Sequence, residues 1–140
     1  MATLTMYTDG GARGNPGPAG AGAALFNEAG KEVATVSDYL GEATNNVAEY
    51  EALLRALMRA ESLYGKRLQT MTIHVRMDSE LIVRQMQGVY KVKEPKLKEF
   101  FSRIAEFRLE RAPNITFEHI PREQNKRADA LVNEAIDRAL

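Results

Sequence analysis

The sequence contains no cysteine. Disulfides, thiolate metal centres and a cysteine nucleophile are thereby excluded. Two histidines are too few to build a conventional zinc centre alone. No apolar run approaches the length of a membrane span. Met1 leads almost directly into a strand-like segment, so no signal peptide is expected, and a cytoplasmic protein fits best. Charge of either sign is not in excess, because 19 basic residues face 19 acidic ones. Any action on nucleic acid must therefore rest on local patches. No Walker-type phosphate loop occurs, and Gly20-Ala21-Gly22 lacks the third glycine of a dinucleotide fingerprint. Internal repeats and low-complexity tails are also missing.

What is present suits one globular domain. A chain of 140 residues buries about two-thirds of its extended surface and folds without staples. The hydrophobic share of 44% and charged share of 27% argue against disorder. A single domain over residues 1–140 is expected.

Alternating apolar and polar residues predict strands over residues 4–8, 21–26 and 33–39, the last two joined by a turn at residues 27–30. Residues 10–23, rich in glycine and proline, read as a tight hairpin loop. The period then changes. Val47, Tyr50, Leu53, Leu54, Leu57 and Met58 follow helical spacing, and Gly65 ends that helix. A strand over 70–77 places Met71, Ile73, Val75 and Met77 on one face. Ser79 caps a short helix through Gln87. Pro95 opens another, with Leu97, Phe100, Phe101, Ile104, Phe107 and Leu109 as its apolar positions. Residues 115–120 form a fifth strand. Asn125 caps a last helix whose stripe is Ala128, Leu131, Val132, Ala135 and Ala139. The fold class is α/β, a mixed five-stranded sheet covered by helices.

The informative residues are four acids. Asp9 closes the first strand and Asp78 the fourth; Glu49 and Asp129 lie near the starts of the long and the last helix. Taken singly, each has a bland explanation, since helix dipoles and turns favour such acids. Parallel neighbouring strands would deliver Asp9 and Asp78 to one sheet edge, where open α/β sheets place their sites. Carboxylates gathered there repel and stay ionised together only beside a cation. An all-oxygen ligand set suits Mg²⁺ or Mn²⁺. The matching chemistry is phosphoryl transfer by two metal ions, which needs no side-chain nucleophile.

The segments YTDGGARGNPGPAGAG, ATNNVAEYEALLRAL, RMDSELIVRQMQG and HIPREQNKRADALVNEA resemble, in order and spacing, those of type 1 ribonuclease H in its short archaeal and bacterial form. The resemblance runs from residue 7 to about 135. It implies the ribonuclease H fold, with sheet order 3-2-1-4-5 and strand 2 antiparallel to the others. It further implies hydrolysis of the RNA strand of RNA–DNA hybrids, leaving 5′-phosphate and 3′-hydroxyl ends. The family's metal-binding acids fall on Asp9, Glu49, Asp78 and Asp129. Its minor-groove contacts fall near Gly10, Gly11, Asn15, Asn45 and Asn46, and its phosphate pocket on Thr44 and Asn15. Only RNA carries the 2′-hydroxyl, so selectivity for that strand demands close approach. Glycine backbone permits it, and asparagine offers both donors and acceptors.

Three departures from longer members stand out. Their long basic insertion shrinks here to residues 88–98, where Lys91, Lys93, Lys96 and Lys98 face only Glu94, a local charge of +3. A charge run is ordinarily just a solvated face; by family position Lys91 and Lys93 would touch phosphate, with salt-sensitive binding. The mobile histidine of the last loop is replaced by the run Pro121-Arg122-Glu123-Gln124. Arg122 takes that role in this reading, as a cation on the scissile or departing phosphate. His119, sharing strand parity with Ile115 and Phe117, reads as structural, and so does His74. Finally, Glu80 stands where several relatives have glutamine, adding an acid beside the site and touching substrate contact or metal preference.

Alternatives remain at this point. The nuclease could also cut double-stranded RNA, whose A-form shape resembles the hybrid. A non-catalytic nucleic-acid-binding module has no reason to keep four repelling acids. A phosphotransferase of related topology would need a second domain and a nucleotide loop.

Overall fold

The computed structural model describes residues 2–140. Along the chain come β1 (Thr3–Ala12), β2 (Gly17–Phe26), β3 (Glu32–Ala43), α1 (Asn45–Tyr64), a 3-10 segment (Gly65–Thr70), β4 (Thr72–Met77), α2 (Glu80–Met86), α3 (Pro95–Glu110), β5 (Ile115–His119), a 3-10 turn (Arg122–Gln124) and α4 (Lys126–Ala139). The sheet order is β3-β2-β1-β4-β5. Strand β2 runs antiparallel to β1 and β3, whereas β1, β4 and β5 are parallel. This is the expected order and sense. Among the described residues no helix is long and apolar enough to cross a membrane.

Local chemistry explains most boundaries. Asn27 Oδ1 accepts from the amides of Ala29 and Lys31, and Gly30 adopts φ 81°, closing the β2–β3 turn. Thr44 Oγ1 accepts from Val47 N at the start of α1, and Ser79 Oγ accepts from Ile82 N at the start of α2. Helix α1 lies on one face of the sheet with α2 and α3. Leu4, Met6, Leu25, Ile73, Val75 and Met77 meet Leu53, Leu57 and Ile104 there, all fully buried. Each such side chain contributes about 1.5–3 kcal/mol on burial. Tyr50, also fully buried, donates its hydroxyl to Gln85 Oε1 at 2.6 Å and so ties α1 to α2.

Four expectations need correction. Residues 10–23 are not a loop: β1 continues to Ala12, β2 begins at Gly17, and only residues 13–16 turn. The glycines serve helix packing instead. A Cβ on Gly20 would lie 2.8 Å from the Val132 carbonyl, and one on Gly22 would strike that of Ala128. Their absence lets α4 settle directly on β2, on the face opposite α1. Met58 and Leu109 extend the apolar spacing of α1 and α3 but point outward, 50% and 84% exposed. In α4, Ile136 is buried while Ala139 is exposed. Asn125 makes no side-chain cap. Its amide nitrogen instead donates to the Thr8 carbonyl at 2.9 Å in the interior, pinning the start of α4 to β1.

Candidate active site

Thr8 pairs with Met77 in the parallel β1–β4 ladder, so Asp9 and Asp78 leave the sheet side by side. Glu49 approaches from the second turn of α1. It can do so because Gly10 has no Cβ; one added there would collide with the backbone of Ala48 and Glu49. The close approach brings Gly10 N–H to Glu49 Oε1 at 2.8 Å, which orients the carboxylate. Oxygens of Asp9, Glu49 and Asp78 all lie within 4.8 Å of one another. The three acids are nearly buried, Asp9 at 9% and Glu49 at 8% exposed. They line an open cleft of about 420 Å³, together with Asp129, Arg122 and Asn45.

Burial and crowding dominate the electrostatics. The Asp9 carboxyl is pushed up to about 8, first by loss of water, then by repulsion from Asp78 and Asp129 and a hydrogen bond with Asp129. Burial also raises Glu49 well above the usual range, with repulsion from Asp9 and Asp78 adding to it; the Gly10 amide and Arg122 oppose the shift. Such a set is costly for the protein to hold unless a cation shares it. Oxygen donors, tight spacing and the lack of any thiolate fit a hard divalent ion, which Asp9, Glu49 and Asp78 would hold. Asp129, exposed in the first turn of α4, stands beside Asp9 but outside that tight set. Asn133 Nδ2 donates to its carbonyl at 3.1 Å and to its carboxylate at 3.5 Å.

The other candidates are distributed unevenly. Arg122 sits on the cleft wall, 88% exposed, with Nε 3.9 Å from Asp78 Oδ2. Gly10 and Gly11 line the cleft; a Cβ on Gly11 would meet nothing nearer than Val132 at 3.8 Å. So Gly10 is demanded by α1, whereas Gly11 leaves open space at its Cα beside the cleft. Asn15 Oδ1 accepts from Asn45 N (3.0 Å), and Asn45 Oδ1 accepts from Ala12 N (2.9 Å). These two asparagines, with the cap Thr44, lock the β1–β2 turn to α1. Asn46, Lys91 and Lys93 line a neighbouring depression with Gln85 and Tyr90. Glu80 does not reach the cleft: it is exposed at the head of α2, with Oε2 3.7 Å from Arg84.

His119, read as structural from strand parity, lies at the surface. It shares parity with Ile115 and Phe117, which are buried, yet its own side chain is exposed. It is the last residue of β5, which is an edge strand of the sheet. His74 bridges strands, hydrogen-bonded to Thr116 Oγ1 and Glu118 Oε1. The residue-by-residue reading missed Arg13, Ser79, Val132, Asn133 and Ile136 on the cleft wall. For Val132 and Ile136 helical periodicity was the available signal; Arg13 was hidden inside a segment read as loop.

A mixed sheet of this order with acids gathered at the ends of its two central parallel strands defines the ribonuclease H-like class. Residues 7–135 match the family described as reverse transcriptase-like. Ribonuclease HI of Halobacterium salinarum is 42% identical over 133 residues, 95% of this chain and 64% of that protein. The bifunctional protein Rv2228c of Mycobacterium tuberculosis is 42% identical over 137 residues, 97% of this chain and 36% of its own length. The chain thus spans less than two-thirds of these relatives. Among solved structures, LC11-RNase H1, isolated from compost, superposes with a TM-score of 0.93 at 62% identity, covering 99% of each chain. LC11-RNase H1 has also been solved in complex with an RNA/DNA hybrid, again at a TM-score of 0.93 and 62% identity, covering 97% of this chain and 98% of that one. The chain belongs to the type 1 ribonuclease H family.

Proposed function

We propose that this chain, acting as a single ribonuclease H domain, is an endoribonuclease that cuts the RNA strand of RNA–DNA hybrids and leaves 5′-phosphate and 3′-hydroxyl ends. One observation carries the reading: three nearly buried carboxylates with oxygens within 4.8 Å of one another, open to a cleft at the sheet edge. Likeness to LC11-RNase H1, solved with a hybrid, supports the substrate class. Asp9, Glu49 and Asp78, joined by Asp129, would hold two Mg²⁺ or Mn²⁺ ions. When bound, such ions supply Lewis acidity toward phosphorus and offset charge on the leaving oxygen.

The chain's own groups do the rest. Gly10 N–H fixes one oxygen of Glu49 and so orients the carboxylate at the cleft. Arg122, loosely held and exposed, meets the scissile or departing phosphate with its planar fork. Gly11, Asn45 and Asn46 form the minor-groove wall for the RNA sugars, while Asn15 and Thr44 shape the turn beside them. Lys91 and Lys93 hold backbone phosphate away from the chemistry.

The test is cleavage of matched hybrid, double-stranded RNA and double-stranded DNA, each with Mg²⁺ or Mn²⁺. Cutting confined to the RNA strand of the hybrid is the expected result. Equal cutting of double-stranded RNA would broaden the specificity, and no cutting with either ion would leave a binding module.

A further inference from the structure

The cleft does not stop at the four acids. It continues along α4 over Val132 and Ile136 to Arg13, at the end of β1. Asp129, Asn133 and Asp137 follow one another at four-residue spacing on the same face of that helix. Arg13 Nη2 donates to Asn133 Oδ1 at 3.2 Å and lies 2.7 Å from Asp137 Oδ1. Both interactions use the same terminal nitrogen. Among the described residues, Nη1 and Nε have no hydrogen-bond partner, so three of the five N–H donors are unspent. The Arg13 side chain is 42% exposed and that of its partner Asp137 67% exposed. Such an exposed pair is weak and screened by salt, and a stronger acceptor readily displaces it.

Position completes the argument. In the sheet, β1 lies between β2 and β4. Arg13 belongs to the β2 side of the acids, and Arg122, beside Asp78, to the β4 side. The acids are thus flanked by one arginine on each side. Asn133, which Arg13 touches, is one helical turn beyond Asp129, about 6 Å along the axis, the scale of a single nucleotide step. A planar fork of unspent donors at that point matches the two free oxygens of a phosphodiester.

We infer that Arg13 is a substrate-binding residue: it grips a backbone phosphate adjoining the scissile one, on the flank opposite Arg122. The inference rests on the nuclease reading above. Asp137 is then a placeholder that competes with substrate for the guanidinium.

Equilibrium binding of a fluorescent RNA–DNA hybrid, measured in chelator so that no cleavage occurs, tests it on the intact chain, Arg13→Ala, Arg13→Lys and Asp137→Asn. Melting curves verify that each is folded. Arg13→Ala should weaken binding about tenfold at low salt and flatten the salt slope by about 0.7–0.9. Arg13→Lys should recover part of the loss, and Asp137→Asn should bind about twofold tighter because the competing acid is gone. A merely structural pair predicts something else, equal weakening by Arg13→Ala and Asp137→Asn. That result, or unchanged affinity in Arg13→Ala, overturns the inference while the nuclease reading stands. Absence of hybrid binding by the intact chain would overturn both.

Discussion

Gly10 and Glu49 lie 39 residues apart in sequence and are joined by one buried hydrogen bond of 2.8 Å. The missing side chain of the first admits the helix that carries the second, and its amide then aims the carboxylate. Packing and site geometry are thus one feature. Gly10→Ala should push α1 outward, cost at least about 1–3 kcal/mol by overpacking, and silence hydrolysis in the fraction that folds. Gly11→Ala has room, so it should melt near the parent temperature and act only on substrate binding. Calorimetry and steady-state kinetics on both separate the two roles. Equal melting losses would merge them.

Asp9→Asn removes a ligating charge at nearly constant shape. Turnover should fall by more than the roughly 100-fold that altering a mere partner of a metal ligand costs. Stability should move the other way in chelator. Folded Asp9 keeps its proton up to about pH 8, against 3.8 for the ordinary group. Between those values folding takes up a proton, so the parent loses stability as pH rises through the window. Asparagine cannot ionise. The melting temperature of Asp9→Asn should therefore exceed the parent's by several degrees at pH 8 and by little at pH 4, with Mg²⁺ narrowing the gap at pH 8 by binding the folded parent. A gap independent of pH would show that Asp9 is not the strained group.

Lys91 and Lys93 stand apart from the acids, beside Asn46. Neutralising Lys91, Lys93, Lys96 and Lys98 together should raise KM for hybrid more than it lowers kcat, since distant phosphate contacts bind ground and transition states alike. The salt slope of binding should flatten by about 0.7–0.9 for each phosphate that a lysine no longer neutralises. An unchanged slope would reduce these lysines to a solvated face.

Arg122→Ala should cut turnover well beyond any effect on melting, because an 88% exposed side chain contributes little to folding. Lysine at 122 should rescue only part, keeping charge but not the fork. His119, exposed at the end of β5, should tolerate alanine with both melting and turnover nearly unchanged. Loss of turnover in His119→Ala with normal turnover in Arg122→Ala would give the loop role to the histidine.

Much of this protein is decided within short stretches of chain. Period-two and period-3.6 patterns depend on neighbours a few residues away, so the order of five strands and four helices is written locally. The acids at strand ends and helix starts are legible for the same reason, and their common edge follows once β1 and β4 are parallel. Tertiary structure decided what local pattern does not encode. Whether a glycine is a turn or a seat for a helix depends on a distant backbone, Ala48 for Gly10 and Ala128 for Gly22. Parity assigns His119 a face but not the element that would cover it. Spacing offers Asn45 and Asn15 to a ligand, and the fold in addition spends one side-chain oxygen of each on fixing the β1–β2 turn. Arg13 reaches the cleft only because α4 lies flat on the glycines of β2. The physical reason is the same in each case: steric contact and desolvation act between atoms brought together in space, and sequence separation says nothing about which atoms those are.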